Sequence, residues 1–181
     1  MLEDTYLTIR LKRGSCDALR SIYNKYRRYL LKIAAALLHD TTLAEDIVHD
    51  VFMRLAQSAD TLTIRGSVKA YLRTSVINGV RNQLRAGKVR SHVELGEADA
   101  VAAEQHSSDQ WISLTEESQR INNALAQLPF EQREVIVLHL HGDMKFREIA
   151  ASQNTALKTV QSRYRYGLDK LRSLLKNEVG L

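Results

Sequence analysis

Asp46, His49, Asp50 and Met53 recur at steps of three and four within AEDIVHDVFMRL (residues 44–55), so a helix through this stretch carries all four on one face. Two carboxylates and an imidazole in that arrangement could hold a divalent metal, meet a basic partner helix, or simply face water. The pairs His39-Asp40 and His49-Asp50 are superficially similar to the ligand pairs of metal-dependent phosphohydrolases. No later acid in a helical segment completes such a set, so neither catalysis nor a metal or cofactor is expected. A second group lies in KAYLRTSVINGVRNQLR (residues 69–85), where Arg73, Thr74, Asn78, Arg81, Asn82 and Arg85 fall opposite an apolar stripe, with Tyr71 near the start. No acid occurs from Ile64 through His92. A basic track with amide groups and an aromatic ring suits unpaired nucleic acid, which is held by phosphate contacts, base-edge bonds and stacking. A solvated basic face is the alternative. The third group is Lys158, Thr159, Gln161, Ser162, Arg163 and Arg165, side chains that bond phosphates and base edges.

These groups need helices to position them, and the apolar periodicity supplies them. Leu19, Ile22, Tyr23, Tyr26, Leu30, Ile33, Ala34 and Leu37 form one stripe, with Ser15 as a candidate N-cap. After a break at residues 39–42, Leu43, Ile47, Val48, Val51, Phe52 and Leu55 form a second, with Thr41 or Thr42 as the expected cap. The polar stretch 57–66 separates it from a third helix expected over residues 68–86, striped by Leu72, Val76, Val80 and Leu84. Residues 87–110 lose the periodicity and have linker composition. Helical pattern resumes with Trp111, Leu114, Ile121, Ala124, Leu125 and Leu128 and stops at Pro129. Three more helices are expected: 130–141, ending at Gly142 as a C′ residue, then 145–152 and 155–176. The last two, joined by a turn at Asn154 with Thr155 as cap, have the pattern of a helix-turn-helix, whose turn needs a residue tolerant of positive φ. Its second helix enters a major groove with its N-terminal half. A plain helical hairpin is the alternative.

Composition narrows the classes further. The chain has 181 residues, one proline and one cysteine, 44% hydrophobic and 26% charged residues. That excludes a disulfide scaffold and a turn-rich all-β fold, and no apolar run is long enough to span a bilayer. A cytoplasmic protein with no membrane insertion is expected. The net charge of +5 is unevenly spread. Residues 1–92 hold sixteen Lys and Arg against eight acids, residues 93–119 hold seven acids and no Lys or Arg, and residues 120–181 hold ten against six. Two basic blocks about an acidic strip suggest two modules that each face a polyanion. The expected fold is all-α: two small helical domains, residues 1–90 and 116–181, joined by an acidic flexible linker over 91–115.

Four stretches in order, AEDIVHDVFMRL (44–55), YLRTSVINGVRNQLR (71–85), LPFEQREVIVL (128–138) and EIAASQNTALKTVQSR (148–163), resemble the extracytoplasmic-function (ECF) sigma factors of bacterial RNA polymerase. The resemblance implies that the first domain is a sigma region 2 and the second a sigma region 4. It gives Asp46, His49, Asp50 and Met53 a role in binding core RNA polymerase. Tyr71, Arg73, Thr74, Asn78, Arg81, Asn82 and Arg85 would then read and melt the minus-ten promoter element, with bases captured near residues 57–66. Lys158, Thr159, Gln161, Ser162, Arg163 and Arg165 would read the minus-thirty-five element as duplex, Gln161 and Arg163 at base edges and Lys158 and Arg165 at phosphates. The implied function is promoter-specific initiation without catalysis, with promoter DNA and core polymerase as partners and an anti-sigma factor as a candidate third. The family often has Trp where Tyr71 stands, Arg-Asn where Ile77-Asn78 stands and Asp where Asn82 stands. Its turn commonly reads apolar-Gly-apolar-Pro where this chain has Gln153-Asn154-Thr155-Ala156. These departures bear on which promoter is read. The alternative is a helix-turn-helix regulator that never docks on core polymerase and binds duplex DNA by itself.

Overall fold

A computed structural model of the chain describes residues 2–61, 64, 66–93 and 116–179. The described elements are all helices: α1 (Leu2–Lys12), α2 (Cys16–Leu38), α3 (Thr41–Gln57), α4 (Val68–Val93), α5 (Glu116–Ala126), α6 (Phe130–Leu140), α7 (Phe146–Gln153) and α8 (Leu157–Val179). The chain divides into two compact units, residues 1–34 with 40–106 and residues 35–39 with 107–181.

In the first unit the stripes of three helices meet. Ile22, Leu30 and Ile33 of α2, Val48, Val51, Phe52 and Leu55 of α3, and Leu72, Val76 and Val80 of α4 are all buried. Each such side chain contributes roughly 1.5–3 kcal/mol on leaving water, so this shared core dominates the unit's stability. Where α3 crosses α4, Gly79 faces Ile47. A Cβ on Gly79 would lie 2.8 Å from Ile47 Cγ2, so the two backbones meet at a separation only glycine permits. Side-chain oxygens cap the helix starts: Ser15 Oγ accepts from the Ala18 N–H (3.4 Å) and Ser67 Oγ from that of Ala70 (3.1 Å). The cap of α3 is Asp40, whose carboxylate accepts from the Leu43 N–H at 2.9 Å; Thr41 and Thr42, the expected caps, lie inside the helix.

Two elements differ from expectation. Among its described side chains helix α1 buries Leu7 and Leu11 alone, too short a stripe to stand out in the sequence. It is fastened by polar contacts to α2. Lys25 Nζ donates to Glu3 (2.6 Å) and Asp4 (2.7 Å), and the Tyr26 hydroxyl donates to Asp4 Oδ2 (2.7 Å). Burial pushes the Asp4 carboxyl up, but the bonds from Lys25 and Tyr26 outweigh it and hold it below its ordinary value. Burial and the bond to Asp4 push the Tyr26 phenol up to about 12. Helix α4 runs to Val93 rather than ending near residue 86. Arg85, Ala86, Lys88 and Arg90 favour helix there and offset Gly87, no apolar stripe marks the extension, and no proline stops it. Residues 91–93 of the expected linker are therefore helical; the rest of it, with Trp111 and Leu114, lies outside the described residues.

The second unit gathers Leu125, Leu128 and Ile136 against Tyr164, Leu168 and Leu171 of α8. Gly167 lets α8 approach α6, since a Cβ there would come 2.8 Å from Ile136 Cδ1. Arg133 Nη1 donates to the Ala126 carbonyl at 3.3 Å and closes the corner between α5 and α6. At the end of α6 the left-handed residue is Asp143 (φ 53), not Gly142. Glycine is needed at 142 for a different reason: a Cβ would meet the Leu138 carbonyl oxygen at 2.5 Å. His139, Phe146 and Tyr164 pack ring against ring where α6, α7 and α8 meet, with centroids 4.4–5.1 Å apart. Glu148 accepts from the Lys145 N–H at 2.8 Å and secures the start of α7. Asn154 ends α7 in the left-handed region (φ 49, ψ 49), as the helix-turn-helix pattern requires. Helix α8 opens at Leu157, so the residue before it is Ala156 and Thr155 is not its cap.

Candidate nucleic-acid interfaces

The outer face of α3 carries what the spacing predicts. Asp46, His49 and Asp50 are exposed and Met53 keeps 46% of its surface in solvent. Asp50 pairs with Arg54 along the same helix at 3.6 Å, an exposed contact that leaves the carboxylate available to a partner. A shallow cleft of about 240 Å³ adjoins this face, lined by Tyr23, Arg27, Glu45, Asp46 and His49 among others. Arg27 reaches Glu45 across it at 3.4 Å. Glu45 extends the acidic face toward α2; the signal for it was its place beside Asp46. Among the described residues no three His, Cys, Asp or Glu side chains are grouped to hold a metal ion.

On α4, positions advance about 100° per residue, which puts Tyr71, Thr74, Asn78, Arg81, Asn82 and Arg85 within about a third of the circumference. Thr74, Asn78, Asn82 and Arg85 are exposed; Tyr71 and Arg81 are half-buried at the margins. Arg73 does not join them. It lies on the flank of the buried stripe between Val76 and Ile77, half-buried, with its Nε shielded from solvent. The sequence reading placed it opposite the stripe, but two residues after Tyr71 the helix has turned away.

On α8, Val160, Tyr164, Gly167 and Leu168 face the core. Lys158, Gln161 and Arg165 are exposed, Ser162 is half-exposed beside them, and all four share one outward arc near the helix N-terminus. The free N–H groups of that first turn favour a phosphate. Thr159 is half-buried at the edge of the arc. Arg163 is turned inward: its Nη1 donates to Gln153 Oε1 at 3.1 Å, and Gln153 Nε2 donates to Glu134 Oε2 at 2.7 Å. The expected base reader thus points along the domain rather than out of it. Its neighbours in sequence gave the signal, since position 163 sits three after Val160 and four before Gly167, both buried. Tyr166 was missed. It is 56% exposed, next to the arc, with the Arg165 guanidinium 5.1 Å from its ring centroid.

The chain thus has one unit with an acidic helix face beside a helix free of acids, and a second unit with a helix-turn-helix. Residues 22–90 match Sigma-70 region 2, and residues 118–171 match Sigma-70, region 4. The ECF RNA polymerase sigma factor SigL of Mycobacterium tuberculosis is 28% identical over 165 residues, 90% of this chain and 91% of that protein. SigW of Bacillus subtilis, also an ECF RNA polymerase sigma factor, is 25% identical over 176 residues, 92% of this chain and 94% of its own. The solved structure of the sigma factor RpoE from Bartonella quintana, in complex with the anti-sigma factor NepR, superposes with a TM-score of 0.64 at 26% identity. It covers 87% of this chain and 98% of that one. CnrH, solved with the cytosolic domain of CnrY, shares the fold at a TM-score of 0.66 and 22% identity, covering 97% and 98%. With two sigma-70 regions in order and relatives aligned nearly end to end, the chain belongs to the ECF sigma factors, which direct bacterial RNA polymerase to specific promoters.

Proposed function

We propose that this sigma factor docks core RNA polymerase through the acidic face of α3 and divides promoter recognition between α4 and α8. The observation that carries the reading is the pairing of opposite charge on adjacent helices of one unit. Asp46 and Asp50 are exposed on α3, while α4 has no acid along its length. Residues 1–93, through the end of α4, act as the polymerase-docking and minus-ten module, 94–115 as the tether, and 116–181 as the minus-thirty-five module. Asp46, His49, Asp50 and Met53, with Glu45 beside them, meet a basic surface of the polymerase. Tyr71, Thr74, Asn78, Arg81, Asn82 and Arg85 hold the melted strand, where stacking and phosphate contacts offset the few kcal/mol of unpairing each extruded base. Lys158, Gln161, Ser162 and Arg165 meet duplex DNA. The protein acts in the cytoplasm and performs no catalysis itself. An anti-sigma factor is a further expected partner, on the analogy of the RpoE relative, solved bound to NepR.

The test is reversal of charge. Asp46→Lys with Asp50→Lys leaves the fold intact, because both side chains are exposed, and turns attraction into repulsion at the docking face. The double variant should lose roughly 2–5 kcal/mol of affinity for core polymerase. Capture of core polymerase at wild-type strength would overturn the assignment. A regulator that works without polymerase docking would be indifferent to the change, which separates the two readings.

A further inference from the structure

We propose that Arg163 is a positioning residue that locks the recognition helix through a Gln153 bridge to a buried carboxylate, and that it reads no base. The inference rests on the reading that α8 meets duplex DNA. On α8, Arg163 lies about 150° around the helix from the midpoint of Lys158, Gln161, Ser162 and Arg165. Its guanidinium is committed to Gln153, the last residue of α7, and Gln153 in turn to Glu134 of α6. Glu134 is only 4% exposed. A carboxylate so buried needs hydrogen bonds and a compensating charge nearby. The amide of Gln153 supplies a hydrogen bond and links the carboxylate to the charge of Arg163. Its oxygen accepts from the cation and its nitrogen donates to the anion, so the amide dipole is aligned between them and each bond polarises the next. The bridge joins three helices of the second unit, α6, α7 and α8, at the point where the turn around Asn154 sets the angle between α7 and α8.

The consequence for recognition is quantitative. A recognition helix binds its groove only when aligned, and apparent affinity falls with the aligned fraction. Breaking the bridge lowers that fraction for every DNA sequence equally. A lost base contact would instead change the preference at one position, and a lost phosphate contact would lower the salt slope by about one.

The experiment uses the full chain assembled with core polymerase and promoters randomised in the upstream element. Arg163→Ala should lower transcription about tenfold on every promoter, leaving the ranking of sequences and the salt slope as in wild type. Gln161→Ala, on the outward arc, should reorder the ranking. Gln153→Glu sets a second carboxylate against Glu134 and should lower both the melting temperature and transcription. Glu134→Gln combined with Gln153→Glu should restore both, because the new carboxylate accepts from Arg163 on one side and from the amide at position 134 on the other. A changed ranking or a lower salt slope in Arg163→Ala would overturn the proposal, as would a double variant no more stable than Gln153→Glu alone. If wild type itself ranks no upstream sequence, the promoter reading of α8 fails, while the melting temperatures still decide whether the bridge holds the domain.

Discussion

Gly79→Ala tests the closest contact in the first unit. By helix propensity alone the substitution should stabilise α4 by about 1 kcal/mol. The crossing opposes it. The new methyl would stand 2.8 Å from Ile47 Cγ2, against an optimum of roughly 3.5–4.0 Å between carbons. Cγ2 sits on a β-branched side chain whose χ1 is fixed in a helix, so it cannot swing clear. The helices must part, and overpacking of this kind costs about 1–3 kcal/mol. The net expectation is a loss of about 1 kcal/mol, which lowers the melting temperature of a unit this size by about 4–8 °C. On the roles proposed for α3 and α4, transcription should fall as well. The decisive measurement is a double-mutant cycle by circular dichroism, with amide exchange in α3 and α4 assigning the transition. Ile47→Ala removes Cγ2 and should cost about 2–5 kcal/mol by itself. In that background Gly79→Ala should become stabilising by about 1 kcal/mol, a coupling of roughly 2 kcal/mol. If Gly79→Ala stabilises the wild-type background too, the crossing is not tight and the reasoning is wrong.

Other perturbations follow from the caps, the turn and the α1 fastening. Asp40→Ala should cost about 1 kcal/mol, read by chemical denaturation, while Thr41→Ala should be near neutral; the reverse order would mean the threonine is the cap. Asn154→Ala should cost roughly 1–2 kcal/mol because alanine resists the left-handed region, whereas Asn154→Gly should be tolerated; equal losses would place the strain elsewhere. The α1 fastening depends on pH at both ends. The lowered Asp4 carboxyl contributes stability that is present above the ordinary carboxylate range and lost as pH falls through its folded value. The raised Tyr26 phenol contributes stability that is present below about 10, its ordinary value, and lost as pH rises toward its folded value of about 12. Tyr26→Phe should cost about 1 kcal/mol at neutral pH, a difference that shrinks in alkali; one that stays constant would refute the hydrogen bond.

Helices α3 and α8 were legible because each buries a stripe at helical period. Ile47, Val48, Val51 and Leu55 specify α3, and Val160, Tyr164, Leu168 and Leu171 specify α8. Asn154 announced its turn through the one conformation it tolerates better than most residues. Helix α1 was not legible, since its anchors Asp4 and Lys25 are 21 residues apart and a charged pair leaves no periodic mark. Arg73 and Arg163 show a subtler limit. Both are long cations next to outward-facing polar residues, and residue type suggested nucleic acid. Their direction was fixed by the buried neighbours three and four positions away, and in Arg163 by a polar residue ten positions back that no helical period could reveal.

The ring cluster of His139, Phe146 and Tyr164 gives the second unit an optical reporter of its packing. Helices α6, α7 and α8 contribute one ring each, and the pairs meet at interplanar angles of 28°, 84° and 59°. Tyr164 and Phe146 absorb in the near ultraviolet, where imidazole does not, and held at fixed angles they give dichroism there only while the packing is rigid; helix content is read in the far ultraviolet. A variant that keeps its helices but lets the recognition helix drift would lose the first signal and retain the second. Misalignment and unfolding, which look alike in a transcription assay, can therefore be told apart in the unmodified protein without an added dye.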